Sequence, residues 1–584
     1  MKVQELPRPE HPRPTLVRDH WHNLNGVWAF AFDPDCSGEA RGWFQEPHGD
    51  RTIVVPFVHQ APLSGIGDPA QVDCVWYWRL FQVPAEWLAG RLLLHFGAVD
   101  YEATVWVNGQ QQGSHRGGFT PFTLDITEAC HPGENLLAVR AFDPISPAIP
   151  SGKQSERESY GCKYTRSTGI WQTVWLEPVP GLSVRQPAIM ASLKEGTVRI
   201  TAPVHGDPSG ARVRVTVSRG GHQIARAEAD ASSGSARLEI AVPGPVAWGP
   251  GSPELYDLTL EALRGSEALD RAVSYFGMRD VEVSGARILI NGRPHVFRGV
   301  LDQGYWPDGI YTAPSDRELR LDIERAMLHG FDSARLHQKV FEPRTLYWAD
   351  HLGYLVWAEF PDWGTDLAQP EARENVRREW LEAVRRDISH PCIVIWTPFN
   401  ERASFEEDAA QREFLKEMVR LTHEADPSRP VCSASGWAHV SETDIVDVHD
   451  YDSSGDALRE RYCRPPGPEG PASKHRAAMA KGEAYRGQPI IASEVGGIWW
   501  DPARAASDAG WGYGERPASE EEFLKRYRDC ILSLLDCRPL SGFVYTQLTD
   551  VEQEVNGLYT YGRSAKFDPA VIREINTARA AAEE

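Results

Sequence analysis

No stretch of this chain approaches the ~20 consecutive apolar residues of a membrane helix, so a helical span is excluded. Basic charge is scarce: 61 Lys and Arg stand against 82 Asp and Glu, for a net charge of −21, and no long basic run occurs. Phosphate backbones are repelled on average by such a surface, which excludes nucleic acid as a partner. The nine cysteines are scattered at 36, 74, 130, 162, 392, 432, 463, 530 and 537 without a Cys-x-x-Cys pair. An odd, unpaired set reads as reduced thiols in a cytoplasm, with no disulfide frame and no metal centre. The opening residues, MKVQELPRPEHPRP, hold no apolar core of a secretory signal, so a cytoplasmic location is expected.

What is present begins with length. A chain of 584 residues exceeds the roughly 250–300 residues that one core supports, so several domains are expected. Aromatics are generous, with 20 Trp, 18 Tyr and 20 Phe. Most suit large β cores; exposed ones suit the C–H-rich faces of sugars.

Three segments follow different patterns, and together they predict a multidomain α and β protein. Residues 1–180 hold apolar runs and alternation, as in RLLLHFGAVDYEATVWVNGQQQG, where Asn108-Gly109 favours a tight hairpin. Almost no helical period appears, and a jelly-roll β-sandwich is expected. Residues 181–277 carry TVRITAPV, ARVRVTVS, ARLEIAV and ELYDLTLEAL between Gly and Ser turns. About seven short strands in about a hundred residues predict an immunoglobulin-like sandwich. From 278 to 584, short apolar strands alternate with amphipathic helices. HVFRGV, DSARLH, YLVWAE, CIVIW, VCSAS, DIVDVHDY, PIIASE and GFVYTQ are eight candidate strands, which predict a (β/α)8 barrel. Ser519 and Glu522 read as a capping box ahead of FLKRYRDCILSLL.

Barrel active sites lie at the C-terminal ends of the strands. Glu401 follows the fourth candidate strand in IVIWTPFNER, and Glu494 follows the seventh in PIIASEVGG. Two carboxylates facing each other across a barrel mouth suit glycoside hydrolysis, one as acid and one as nucleophile, if they lie ~5–5.5 Å apart. Asn400 fits as a donor to the sugar 2-hydroxyl. The structural alternative is that a Glu at a strand end only caps a helix.

At these residues the sequence resembles glycoside hydrolase family 2, which includes β-galactosidases, β-glucuronidases and β-mannosidases. The resemblance runs through NLNGVWAFAFD, FGAVDYEATVWVNG, GIWQTVWLE, SPELYDLTL, ARLHQKVFEPRTLYWADHLGYLVWAE, PFNE and IASEVGG. It implies a sugar-binding jelly roll, an immunoglobulin-like domain and a catalytic barrel, with Glu401 as acid/base and Glu494 as nucleophile. It further implies that Tyr451, in the segment of Asp447 and His449, bonds the nucleophile, and that Arg335 lies beside it. Glu359 is the matching acidic residue at the third strand. His337 and Gln338 are candidates for the sugar pocket, Asp302 for a hydroxyl acceptor, and Trp306, Trp499 and Trp500 for stacking walls. For each of these the alternative is ordinary packing. Asp550 is expected to be structural.

Three departures bear on the substrate. Lys163 stands where well-known galactosidases and glucuronidases place an acid that enters the sugar pocket. The stretch matching the glucuronidase Asn-x-Lys clamp is EVNG, with Glu554 and Asn556, and Glu554 is expected to repel a uronate. Thr546 and Gln547 replace a Trp at the end of the eighth strand. The expectation is a retaining exo-β-glycosidase, β-galactosidase-like first. A mannosidase, arabinopyranosidase or uronide hydrolase, a transglycosidase, or a catalytically silent carbohydrate-binding protein are the alternatives. No cofactor or metal is needed, a carbohydrate is the expected partner, and family members often assemble as homo-oligomers.

Overall fold

The structure is a computed structural model that describes residues 6–49, 51–502 and 510–583. Its first region is two β-sheets face to face. A six-stranded antiparallel sheet runs in the order 51–55, 26–32, 74–83, 133–142, 102–107 and 110–116, and a four-stranded sheet in the order 22–23, 174–179, 91–96 and 122–125. Alternation along Cys74–Val83 sends Val75, Tyr77 and Phe81 into the space between the sheets. Trp76 and Trp78 point the other way, yet they are also buried, with Trp106, beneath Trp43 and Phe44 of a covering loop. Covering both faces explains why CVWYW reads as a continuous apolar run, and where much of the tryptophan goes.

The second region pairs 197–205 with 183–184, 188–192 and 235–241, opposite a sheet ordered 222–230, 211–219, 255–264 and 267–277. Val213, Val215 and Val217 alternate inward against Leu258, Leu260 and Ala262, the period-2 pattern expected of a half-buried strand.

In the third region seven parallel strands run in the order 393–397, 355–359, 333–336, 297–302, 540–546, 490–496 and 446–450. The expected strand VCSAS is not a continuous strand. It lies in the remaining gap through isolated parallel bridges, Val431 to Trp396 and Ser435 to Asn400. The physical reason is that side chains take two of its amides and the next one along: Asp444 accepts from Val431, Thr443 from Ser433, and Asp447 from Gly436 just past the segment. Helices Asp316–Leu328 and Glu520–Leu535 begin where their caps predict, with Ser315 accepting from the Glu318 amide and Ser519 from the Glu522 amide. The Glu522 carboxylate reaches back to the Ala518 amide, one residue beyond a standard capping box.

One expectation is corrected. Cys463 and Cys537, read as free thiols, form a disulfide; the other seven are free. They follow the packed helices Gly455–Tyr462 and Glu520–Leu535, which bring together residues 74 positions apart.

The first region is joined to the barrel through buried groups. Tyr164 and Trp171 belong to the same hydrophobic cluster as the barrel strands. Tyr101 donates to Glu379 of helix Pro370–Asp387 at 2.8 Å. Burial raises the Glu379 carboxyl from 4.5 to about 7. The folded state therefore holds this proton more tightly than the unfolded chain. The stability it brings is complete below about pH 4.5 and is lost as pH rises through about 7. Urea unfolding of the wild type and Glu379→Gln is expected to give similar stabilities at pH 4.5. At pH 8 the variant should be more stable by about 3 kcal/mol. A difference that does not change with pH contradicts this account.

Candidate active site

Arg335 sits at the floor of the barrel mouth with no exposed surface. Its Nε donates to Glu359 Oε2 at 2.7 Å, its Nη2 to Asn400 Oδ1 at 2.6 Å, and its Nη1 to Glu494 Oε1 at 2.8 Å. Residues from four strand ends are thereby fixed by one planar fork. Tyr451 donates to the other oxygen of Glu494, and Thr546 Oγ1 lies 3.2 Å from the same hydroxyl. His449 stands between the two candidate carboxylates. Its Nδ1 is 2.6 Å from Glu401 Oε1, and its Nε2 is 3.4 Å from Glu494 Oε1. A carboxylate oxygen of Glu401 and one of Glu494 lie within 4.8 Å of each other.

The electrostatics divide the two carboxylates. Burial alone pushes the Glu494 carboxyl up, but His449, Arg335, His337 and Lys153 outweigh it and hold the group well below its usual range. It is an anion at any ordinary pH. His449 is raised against the pull of burial by Glu494 and Glu401. Glu401 adopts a φ of +52°, a left-handed conformation that costs a non-glycine residue about 1–3 kcal/mol. Its amide donates to Ser435 O at 2.9 Å, which holds the backbone in place.

The remaining candidates separate. Asn400 is 1% exposed, and with Oδ1 committed to Arg335 its Nδ2 has no partner among the described residues, leaving a buried donor. His337 is buried, held neutral by burial, Lys153 and Arg335, with Nδ1 3.0 Å from Glu359. Gln338 does not offer its amide to a sugar: Nε2 donates to Glu359 and Asp362, and Oε1 accepts from the Trp363 amide. Gln547 is likewise spent, on Gln303 and Asn556. Asp302 accepts from the Gly304 amide and lines a cavity with Trp306, Asp322, Lys339 and Glu342. Trp306 is not an open stacking platform. It is 4% exposed, packed on Ala313 and Leu319, with the Arg563 guanidinium 3.7 Å from its ring centroid. Trp500 is buried, while Trp499 is part-exposed beside Arg516. Asp550 is bound to Lys566 at 2.7 Å, as its expected structural role requires.

Lys163 is part-exposed, 6.0 Å from the Trp363 ring centroid. Glu554 is buried at the tip of a hydrogen-bonded ring: Tyr164 donates to one oxygen and Asn556 to the other, at 3.0 Å. Burial raises its carboxyl, while Lys153 and the bonds from Tyr164 and Asn556 favour its charged form. Two residues escaped the sequence reading. Trp363 donates from Nε1 to Asn400 O, and Lys153, 7% exposed, places its ammonium 4.3 Å from the Trp363 centroid. Nothing in SGKQ sets Lys153 apart from a solvated loop lysine.

Among the described residues, three groups of His, Cys and carboxylate atoms lie close enough to share a cation: Glu401–His449–Glu494, Asp350–His390–Cys392 and Cys432–His439–Asp447. In the latter two the aspartate is already bonded within the group, to His390 at 2.6 Å and His439 at 2.9 Å.

Comparison with known proteins gives three matched segments. Residues 21–177 match the sugar binding domain of glycosyl hydrolases family 2, residues 182–279 the segment described simply as glycosyl hydrolases family 2, and residues 281–496 that family's TIM barrel domain. A β-glucuronidase of Paenibacillus borealis is 26% identical, over 96% of this chain and 97% of its own. A β-galactosidase of Thermoanaerobacter pseudethanolicus is 28% identical, over 70% of this chain and 53% of its own. Among solved structures, a Lactobacillus rhamnosus β-glucuronidase superposes with a TM-score of 0.80 at 21% identity, covering 98% of this chain and 99% of its own. A Bifidobacterium dentium β-glucuronidase complexed with coumarin-3-O-glucuronide gives 0.79 at 22%, with the same coverage. At such identities the structural likeness establishes the fold.

Removing the Tyr451 hydroxyl takes a donor from the Glu494 carboxylate and raises its pKa. In Tyr451→Phe the other partners of Glu494 remain and keep it ionised, so kcat/KM is expected to fall about 10-fold across the working pH range with the acid limb unmoved. An acid limb that moves upward contradicts the account of Glu494 as an anion held by His449 and Arg335.

Proposed function

The chain belongs to glycoside hydrolase family 2, and from this membership and the paired carboxylates we propose a retaining exo-β-glycosidase with Glu494 as nucleophile and Glu401 as acid/base. The observation that carries the reading is the approach of the two carboxylates to within 4.8 Å, in keeping with the short separation of retaining enzymes. Glu494 attacks the anomeric carbon while Glu401 gives its proton to the departing glycosidic oxygen. The C–O bond breaks and a glycosyl ester forms on Glu494. Glu401 then takes a proton from water, whose oxygen attacks the same carbon and releases Glu494. His449, 2.6 Å from Glu401, shares the proton that Glu401 delivers. Asn400 Nδ2, the unpaired buried donor, is aimed to bond the sugar 2-hydroxyl as positive charge develops on the ring.

The sugar first expected was a galactoside. The relative that matches along nearly its whole length is named a β-glucuronidase, which favours a β-glucuronide. Tyr164 and Asn556 occupy the two oxygens of Glu554, which weakens the objection raised against a uronate. A carbohydrate-binding protein without turnover is disfavoured by the retention of both carboxylates, and transfer to a sugar acceptor shares the same glycosyl ester.

Nitrophenyl β-glycosides test the reading. Glu494→Ala is expected to lose turnover and to recover with azide, yielding the α-glycosyl azide. Glu401→Ala is expected to lose ~10²–10⁴-fold on substrates with poor leaving groups and to yield the β-glycosyl azide. The same azide anomer from both variants contradicts the assignment of roles.

A further inference from the structure

Lys153 contributes least of the four groups that hold Glu494 ionised, yet its position is costly. It belongs to the first region, between strands 133–142 and 174–179, and reaches the barrel mouth across the domain junction. Gly152 makes the approach close: its φ is +58°, and a Cβ there would lie 2.3 Å from Gln338 O. The loop beyond it is pinned to the barrel. Trp511 and Gln553 donate to Gly161 O, Gln553 donates to Lys163 O, and the Thr165 amide donates to Glu552.

At the end of this loop the ammonium is unmatched. Lys153 is 7% exposed, and among the described residues it has neither a hydrogen bond nor a carboxylate within 4.0 Å. Its one neighbour of opposite character is the Trp363 ring, a cation–π contact at 4.3 Å. The acids around it are committed elsewhere. Glu554 is held by Tyr164 and Asn556, and Glu494 by Arg335 and Tyr451. Their field, with that of Glu401 and Cys162, keeps Lys153 protonated against burial. Lys163 adds a second cation over the same ring. An ammonium with so little exposure and no carboxylate beside it gives up much of its hydration, and a ligand anion recovers that loss on binding.

We propose that Lys153, with Trp363 orienting it, is the residue that reads an anionic substituent on the bound sugar, a carboxylate or a sulfate ester, in the place of the absent Asn-x-Lys clamp. This rests on the glycosidase reading and assigns its specificity to the first domain.

The test compares wild type, Lys153→Met and Lys153→Arg on 4-nitrophenyl β-D-glucuronide, β-D-galactoside and β-D-galactoside 6-sulfate. Wild type is expected to prefer an anionic glycoside, and whichever of the uronide and the sulfate it prefers identifies the anion. Lys153→Met is expected to lower the ratio of kcat/KM on that substrate to kcat/KM on the neutral galactoside at least ~30-fold, with the extra loss on the anionic substrate falling mainly on KM. Lys153→Arg should restore part of the loss. An equal fall in kcat/KM on charged and neutral substrates would instead make Lys153 an electrostatic support of Glu494 alone and overturn the proposal. So would a wild type that prefers the neutral galactoside. Calorimetry on wild type decides the same point without a variant or turnover: D-glucuronate or galactose 6-sulfate should bind at least ~10-fold more tightly than D-glucose or galactose. Turnover of no substrate, with that binding difference intact, contradicts the glycosidase reading and leaves the Lys153 assignment standing.

Discussion

A guanidinium cut off from water binds three acceptors at once, and the geometry of the mouth follows from it. Arg335 ties Glu359, Asn400 and Glu494 with rigid donors, so their positions are linked through one plane. Buried charges are stable only when paired and hydrogen-bonded, and here the pairing extends outward. Gln338 secures Glu359, Tyr451 secures Glu494, and Asp447 holds Ser435 and Ser493 beneath them. The unpartnered donor of Asn400 and the ammonium of Lys153 are the groups this network leaves open, and both belong to the proposed sugar site.

The same network separates the work of two chemically identical groups. Glu494 is enclosed by His449, Arg335, His337 and Lys153 and stays ionised. Glu401, part-exposed and bonded to His449, sits where a leaving group and water can reach it. These two settings are what the proposed double displacement asks of a nucleophile and of an acid/base. The mouth is not the barrel's alone. The loop carrying Lys153 and Lys163 is fastened by Trp511, Gln553 and Glu552, so the first domain forms one wall.

Much of this was legible in the sequence, because burial and periodicity write themselves into composition. Apolar strands that end in a carboxylate marked Glu401 and Glu494, while Arg335 and Tyr451 were placed by the family resemblance. What failed depended on information a linear pattern lacks. VCSAS has strand composition, but Asp444 and Thr443 take the amides of Val431 and Ser433. Trp306 looks the same in sequence whether it faces a sugar or the Arg563 guanidinium. Gln338 and Gln547 stand in the right places, yet other side chains consume their amides. The Cys463–Cys537 disulfide arises from helix packing, and Lys153 gains meaning only when the domains meet.

The most direct measurement of the central claim uses a 2-deoxy-2-fluoro glycoside of the preferred sugar with a good leaving group. The fluorine slows both steps, the leaving group favours the first, and the glycosyl ester accumulates. Mass mapping of the inactivated protein is expected to find the sugar on the peptide that carries Glu494, with one equivalent per chain and slow recovery of activity. A label on another residue, or hydrolysis that inverts the anomeric centre without labelling, would contradict the account.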